Sequence, residues 1–133
     1  RLVIYKIEKN QLKPMINKKY TAGLAGYIES DGNMRQKGIQ ILVNTLLELR
    51  QIIQNINVQE IFLFGTASLR NSANTQEILT AVKKYCGFDI QVLSGEQEAT
   101  FDYYGVIQNP VHSNGLLVDI GGGSTELVFF QNN

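Results

Sequence analysis

A mixed α/β fold is predicted by three observations on this sequence. β-rich runs alternate with segments of helical periodicity, in the order β, β, α, β, α, β, α, β, β. One helical stripe is long and clear: Ile39, Leu42, Val43, Leu46, Leu49, Ile53 and Ile56 recur at spacings of three and four. Towards the C-terminus, the run from Gly115 to Phe130 sets a three-glycine turn between two apolar strands. Strands that alternate with helices predict a largely parallel sheet, and the first two runs predict an antiparallel hairpin at its start.

In chain order, Leu2 to Ile7 is β-rich, Lys9-Asn-Gln11 is its turn, and Leu12 to about Leu24 is the returning strand. Ala22 to Gly26 is a loop, and Ser30-Asp-Gly-Asn33 is a second loop that supplies helix-capping side chains. The striped segment, about Met34 to Asn55, is a helix that covers a sheet. Glu60 to Phe64 is a continuous apolar run of the kind that forms a buried parallel strand. Asn74 with Glu77 forms a capping box for a helix from about Thr75 to Tyr85, which Gly87 stops. Phe88 to Leu93 alternates as a strand does. Ser94 with Gln97 is a second capping box, opening a helix to about Gln108. Pro110 and Asn114-Gly115 close a loop, and Asn109 to Asn114 is the one candidate boundary.

The length of 133 residues fits one domain, at roughly 100–200 residues each. No apolar run approaches the roughly 20 residues of a membrane span. The chain starts within one strand and stops just after another, so it reads as a piece of a longer protein. Cys86, the single cysteine, reads as a small buried hydrophobe, and the scarcity of cysteine points to a reducing cytoplasm. Net charge is zero, which does not suggest a nucleic-acid binder. The distribution is lopsided: beyond Lys84 there are six acids and no Lys or Arg. An ordinary solvated acidic face accounts for Asp89 and Asp102. His112 lies in a loop and is assigned no role, and Tyr103-Tyr104 reads as helix packing.

Three stretches carry chemistry. Gly121, Gly122 and Gly123 remove every Cβ from their turn, so its backbone is free to take positive φ and to approach a ligand closely. Successive N–H groups there form an anion nest, with the Ser124 and Thr125 hydroxyls at its edge. Asp119 and Glu126 flank the turn, where carboxylates suit a bridging Mg2+. An empty glycine hairpin is the plain alternative. Arg70 comes after a short strand, where open α/β sheets bind ligands, and its planar fork suits phosphate oxygens as well as it suits a surface salt bridge. Glu98 sits in the first turn of a helix, placed to orient a water and take its proton, although acids are common there in any helix. Glu96 points elsewhere.

Together, Gly65-Thr-Ala-Ser-Leu-Arg70, Ser94-Gly-Glu-Gln-Glu-Ala99 and Asp119-Ile-Gly-Gly-Gly-Ser-Thr-Glu126 resemble the exopolyphosphatase / guanosine pentaphosphate phosphatase (Ppx/GppA) family in content, order and spacing. The resemblance implies an actin-like ATPase (ribonuclease H-like) fold of two domains with the active site in the cleft. It implies hydrolysis of phosphoanhydride bonds, releasing terminal phosphate from polyphosphate or the 5′ γ-phosphate of guanosine pentaphosphate. On that resemblance Glu98 is the catalytic base and Arg70 the phosphate-binding arginine. Asp119 and Glu126 are the acids of the Mg2+ site, and Gly121, Gly122, Gly123, Ser124 and Thr125 form the second phosphate loop. The family's first phosphate loop has no counterpart here beyond Arg1, which aligns with its last arginine. The resemblance thus implies truncation at both ends. Residues 1–114 are a first domain lacking its first strand and first phosphate loop, and 115–133 are the first hairpin of the second.

Two other classes stay open on the sequence. A nucleotide- or alarmone-binding sensor needs the same nest without turnover, and binding without phosphate release identifies it. An actin-like kinase needs an acceptor hydroxyl site, of which the sequence shows none. A homodimer of the longer protein is compatible with the sequence, which is silent on oligomeric state and on the choice between the two substrates.

Overall fold

The computed structural model describes residues 1–9, 11–107 and 114–131. It opens on the expected antiparallel hairpin, β1 (Leu2–Glu8) with β2 (Gln11–Lys18). Lys9 takes φ 50 at the turn, and Asn10 lies outside the described residues. The register shifts between Ile4 and Tyr5, beside the position where Tyr5 faces Pro14. Proline has no N–H to give the ladder, so an irregularity there is expected. The return strand ends at Lys18 and not at Leu24, because Lys18 already pairs with Leu2 and no β1 residue is left to stand opposite the residues after it. In place of the expected loop, Leu24–Tyr27 forms a short 3-10 turn entered through Gly23 at φ 59.

α1 (Gln36–Ile56) buries Ile39, Leu42, Val43, Leu46 and Leu49, most of the predicted stripe, while Ile56 near its end is exposed. The preceding loop does not cap it. Asp31 instead accepts from the N–H and side-chain amide of Asn33, at 2.9 and 2.8 Å. Those bonds pull its carboxyl below the ordinary value. The start of α1 is tied from a distance: Asn74 accepts from the Met34 N–H at 2.8 Å and donates to the Met34 carbonyl at 3.0 Å.

β3 (Phe64–Gly65) leads through Thr66 into α2 (Ala67–Arg70), and then comes α3 (Thr75–Cys86). Asn74 and Glu77 do bond each other, at 2.9 Å, but Asn74 serves Met34 and makes no side-chain cap on α3. Gly87 ends α3 at φ 71, the left-handed stop its position predicts. Ile78, Val82 and Cys86 of α3 are buried against the α1 stripe. The Cys86 thiol donates to the Val43 carbonyl, and burial pushes its pKa up. Cys86 is therefore the packed hydrophobe that the sequence predicts.

β4 (Gln91–Val92) pairs in parallel with β3. The anticipated single sheet is not formed: the described strands make three separate two-stranded sheets. The run Glu60 to Phe64 is not buried either. Only Phe64 of that run is in a strand, and Phe62 is 74% exposed, because no described element covers it. α4 (Gly95–Ile107) opens on the predicted capping box: Gln97 N–H donates to Ser94 Oγ at 3.1 Å, and Ser94 N–H to Gln97 Oε1 at 3.0 Å. The expected helix end at Gln108, the Pro110 loop and His112 fall outside the described residues. β5 (Asn114–Ile120) and β6 (Thr125–Gln131) complete the antiparallel glycine hairpin.

Candidate phosphate and metal site

Three chain-distant pieces meet at one corner of the molecule. α2 is a single turn that ends on Arg70. The capping box at Ser94 fixes the start of α4, which sets Glu98 in its first turn. Arg70 Nη1 donates to the Leu93 carbonyl at 2.8 Å and to Glu98 Oε2 at 2.9 Å. One guanidinium thereby ties the link between β4 and α4 to the helix itself. Arg70 and Glu98 are each mostly withdrawn from solvent, with 23% and 15% of their side chains exposed.

The hairpin adds carboxylates through its register. Asp119 on β5 lies directly opposite Glu126 on β6, so their side chains share a face. Like charges in that position repel. The shared face packs on α4, where the Tyr103 ring lies 5.7 Å from that of Phe130. Tyr103 thus packs as the sequence predicts. Phe130 stands opposite Gly115, where a Cβ would sit 2.7 Å from the ring. Glu126 is buried at 7% exposure, its Oε1 3.8 Å from Arg70 Nη2 and its Oε2 without a partner.

The turn between the strands differs from expectation in one respect. Positive φ among the described glycines occurs at Gly23, Gly32 and Gly87, and not at Gly121, Gly122 or Gly123. The turn comes close to α2: a Cβ on Gly123 would lie 3.4 Å from the Ala67 side chain, an ordinary contact, while above Gly122 nothing lies within 4 Å. The Gly121 N–H closes the turn onto the Ser124 carbonyl at 3.0 Å. All three glycines and Thr125 are exposed, and Ser124 is half-buried.

Asp102 departs from the expectation of a solvated face. Its Oδ2 is buried without a partner, and ligand atoms of Asp102, Asp119 and Glu126 lie within 4.8 Å of one another. Burial, then the charges of Asp119, Glu98 and Glu126, hold its carboxyl above the ordinary value. Asp102 comes four residues after Glu98, one helical turn along the same face, a relation that points to the site only once the hairpin is known to lie against α4. Asp89, by contrast, is solvated and paired with Lys83 at 2.5 Å, and Glu96 is exposed.

The corner therefore gathers Arg70, Glu98, Asp119, Glu126 and the edge of the glycine turn. Ser124 and Thr125 stand beside it with no side-chain bond to Arg70 or Glu98. A groove of about 500 Å³ between α4 and β6, lined by Tyr103, Tyr104, Leu127 and Phe129 among others, includes none of the predicted site residues. Oxygen donors in a tight set with two buried orphan atoms fit a hard divalent ion such as Mg2+.

The Ppx/GppA phosphatase family profile matches residues 3–133. The chain belongs to this family. It is 33% identical over 116 residues to exopolyphosphatase 1 of Mycobacterium tuberculosis, covering 86% of this chain and 34% of that protein. It is 28% identical to a putative exopolyphosphatase of Haemophilus influenzae, covering 96% and 40%. Among solved structures it resembles an exopolyphosphatase from Cytophaga hutchinsonii, with TM-score 0.91, 27% identity and coverage of 98% and 43%. The Aquifex aeolicus family member gives TM-score 0.84 at 26% identity, with the same coverage. The fold is the mixed α/β fold of these proteins, whose domains are actin-like. The chain spans between 34% and 40% of the length of these curated relatives. No described helix is long and apolar enough to cross a membrane.

Proposed function

We propose that the chain carries part of the active site of a cytoplasmic phosphoanhydride hydrolase, which releases terminal phosphate from inorganic polyphosphate or the 5′ γ-phosphate of guanosine pentaphosphate. The observation that carries this reading is the position of Arg70. It lies 2.9 Å from Glu98 and 3.8 Å from Glu126, on the one-turn helix that the glycine turn approaches. Family membership, with exopolyphosphatases among its relatives, supports the substrate class. In this reading residues 1–114 belong to the first actin-like domain and 115–133 begin the second, so the site lies between them.

The chemistry comes from the side chains and the bare turn. The turn from Gly121 to Thr125 holds phosphate oxygens through N–H groups other than that of Gly121, which donates to the Ser124 carbonyl, and the absence of Cβ atoms lets those oxygens come close. Arg70 presents two nitrogens; a phosphoryl group takes the guanidinium face now turned towards Glu126, and the charge that develops on transfer is stabilised there. Glu98, steadied at Oε2 by Arg70, takes the proton of the attacking water at Oε1. Asp119 and Glu126 would hold Mg2+, which would supply positive charge to offset that of the phosphate oxygens.

The test is Glu98→Gln in the longer protein. Substrate binding is retained and phosphate release falls by about 10²–10⁴; unchanged turnover rejects the assignment. The 133-residue chain by itself is expected to be inactive, since it spans under half of its relatives. Equal specific activity of the two forms would refute that expectation.

A further inference from the structure

We propose that Asp102 is a third carboxylate of the divalent-cation site, and that this chain therefore holds its cation before any phosphate arrives. The inference rests on the reading of Asp119 and Glu126 as cation ligands and adds to it a residue and an order of binding.

Asp102 approaches from α4, whereas Asp119 and Glu126 approach from the hairpin, so the three oxygens converge from two different elements within 4.8 Å. Two of the carboxylates also have one enclosed oxygen each without a hydrogen-bond partner. Glu126 is 7% exposed and its Oε2 is unbonded, while Asp102 Oδ2 is enclosed and equally unbonded. A buried carboxylate oxygen without a donor is costly, and two of them in one cluster of acids are more so.

No described side chain supplies the missing charge. Arg70 is the cation of this corner, and it is engaged by the Leu93 carbonyl, Glu98 and Glu126. Neither Asp102 nor Asp119 has an ion pair among the described residues. A divalent ion satisfies all three carboxylates at once. Magnesium sites that lean on substrate phosphates use one or two protein carboxylates; a third moves the site towards independent binding.

The experiment is a Mn2+ titration of this protein without phosphate, read by the loss of the free-ion paramagnetic resonance signal, with Mg2+ competition. One ion per chain is expected. Asp102→Asn should weaken binding at least about tenfold, the loss that removal of even an outer-shell partner produces. Asp102→Glu should restore part of it, and Asp89→Asn, on a solvated residue, should change nothing. Metal-free melting gives an independent readout: Asp102→Asn melts at or above the wild type, yet gains less from added Mn2+. Unchanged affinity in Asp102→Asn, with binding lost in Asp119→Asn, overturns the role of Asp102 and leaves the two-carboxylate site standing. Absence of Mn2+ binding by the folded wild type overturns both.

Discussion

Between α1 and α3 the buried surface is apolar and complete. Ile78 and Val82 are fully enclosed, and the one buried thiol has an acceptor in the Val43 carbonyl. At the corner of α2, α4 and the β5–β6 hairpin, the gathered groups are carboxylates. Four of them gather there, Glu98, Asp102, Asp119 and Glu126; Arg70 pairs with Glu98 and Glu126, and two buried oxygens, Asp102 Oδ2 and Glu126 Oε2, have no hydrogen-bond partner. Burial raises the pKa of both Cys86 and Asp102, but for Cys86 the cause is desolvation, partly relieved by Arg50. For Asp102, three neighbouring negative charges add to it. The first region stabilises the fold; the second holds like charges close together, which costs stability.

The largest effect should come from the first region. Ile78→Ala empties a site with no solvent exposure and should cost about 2–5 kcal/mol, seen as a lower urea midpoint at unchanged slope. A loss below about 1 kcal/mol would mean that the α1–α3 layer is loosely packed and the contrast false.

Arg70→Ala probes the second region. Each charge-assisted hydrogen bond contributes about 1.5–3 kcal/mol, and the Arg70–Glu98 pair is shielded enough to keep much of that. Truncation also strands Glu98 and Glu126 without their cation. Adding Glu98→Gln to Arg70→Ala should recover part of the loss, so the double-mutant cycle should not be additive. Additivity within about 0.5 kcal/mol would show that the pair is not coupled.

The sequence made local devices readable and distant ones invisible. Gly87 as a left-handed stop and the Ser94–Gln97 capping box each need only residues within one turn, and both form as expected. Asn74 carries the same local cue, yet two of its bonds go to Met34, forty residues away, which no periodicity reveals. The apolar run at Glu60 to Phe64 fits a buried strand, but burial depends on what covers it, and Phe62 stays exposed. Motif content brought out Arg70, Glu98, Asp119 and Glu126. Asp102 belongs to no motif; the i,i+4 relation to Glu98 becomes informative only once β6 is known to lie against α4.

Gly38→Ala should have a moderate effect whose sign is set by crowding. Alanine gains about 1 kcal/mol of helix propensity over glycine. Its Cβ, however, would sit 2.7 Å from Tyr27 Cβ and 2.9 Å from Met34 Cγ, on the buried side of α1. Overpacking of that kind costs about 1–3 kcal/mol, so a net loss of up to about 2 kcal/mol is expected by chemical denaturation. A more stable variant would show that the 3-10 turn yields.

The smallest effect separates the two regions by pH. In chelator, the folded state holds the Asp102 proton more tightly than the unfolded chain does, because its carboxyl lies above the ordinary 3.8. Between the unfolded and folded values, the folded state binds more protons than the unfolded one, so stability falls as pH rises through that window. The contribution is fully present below about 3.8 and lost above the raised value. Asp31 opposes it: its carboxyl is lowered by Asn33, so its contribution is lost as pH falls. The useful quantity is therefore the difference in melting temperature between wild type and Asp102→Asn, which cancels Asp31. That difference should shift in favour of Asp102→Asn as pH rises from about 4 towards about 7 in chelator, and reverse when a divalent ion is added. A flat difference would mean that the carboxylates of this corner do not sense one another, and that their closeness has no electrostatic consequence for a ligand to relieve.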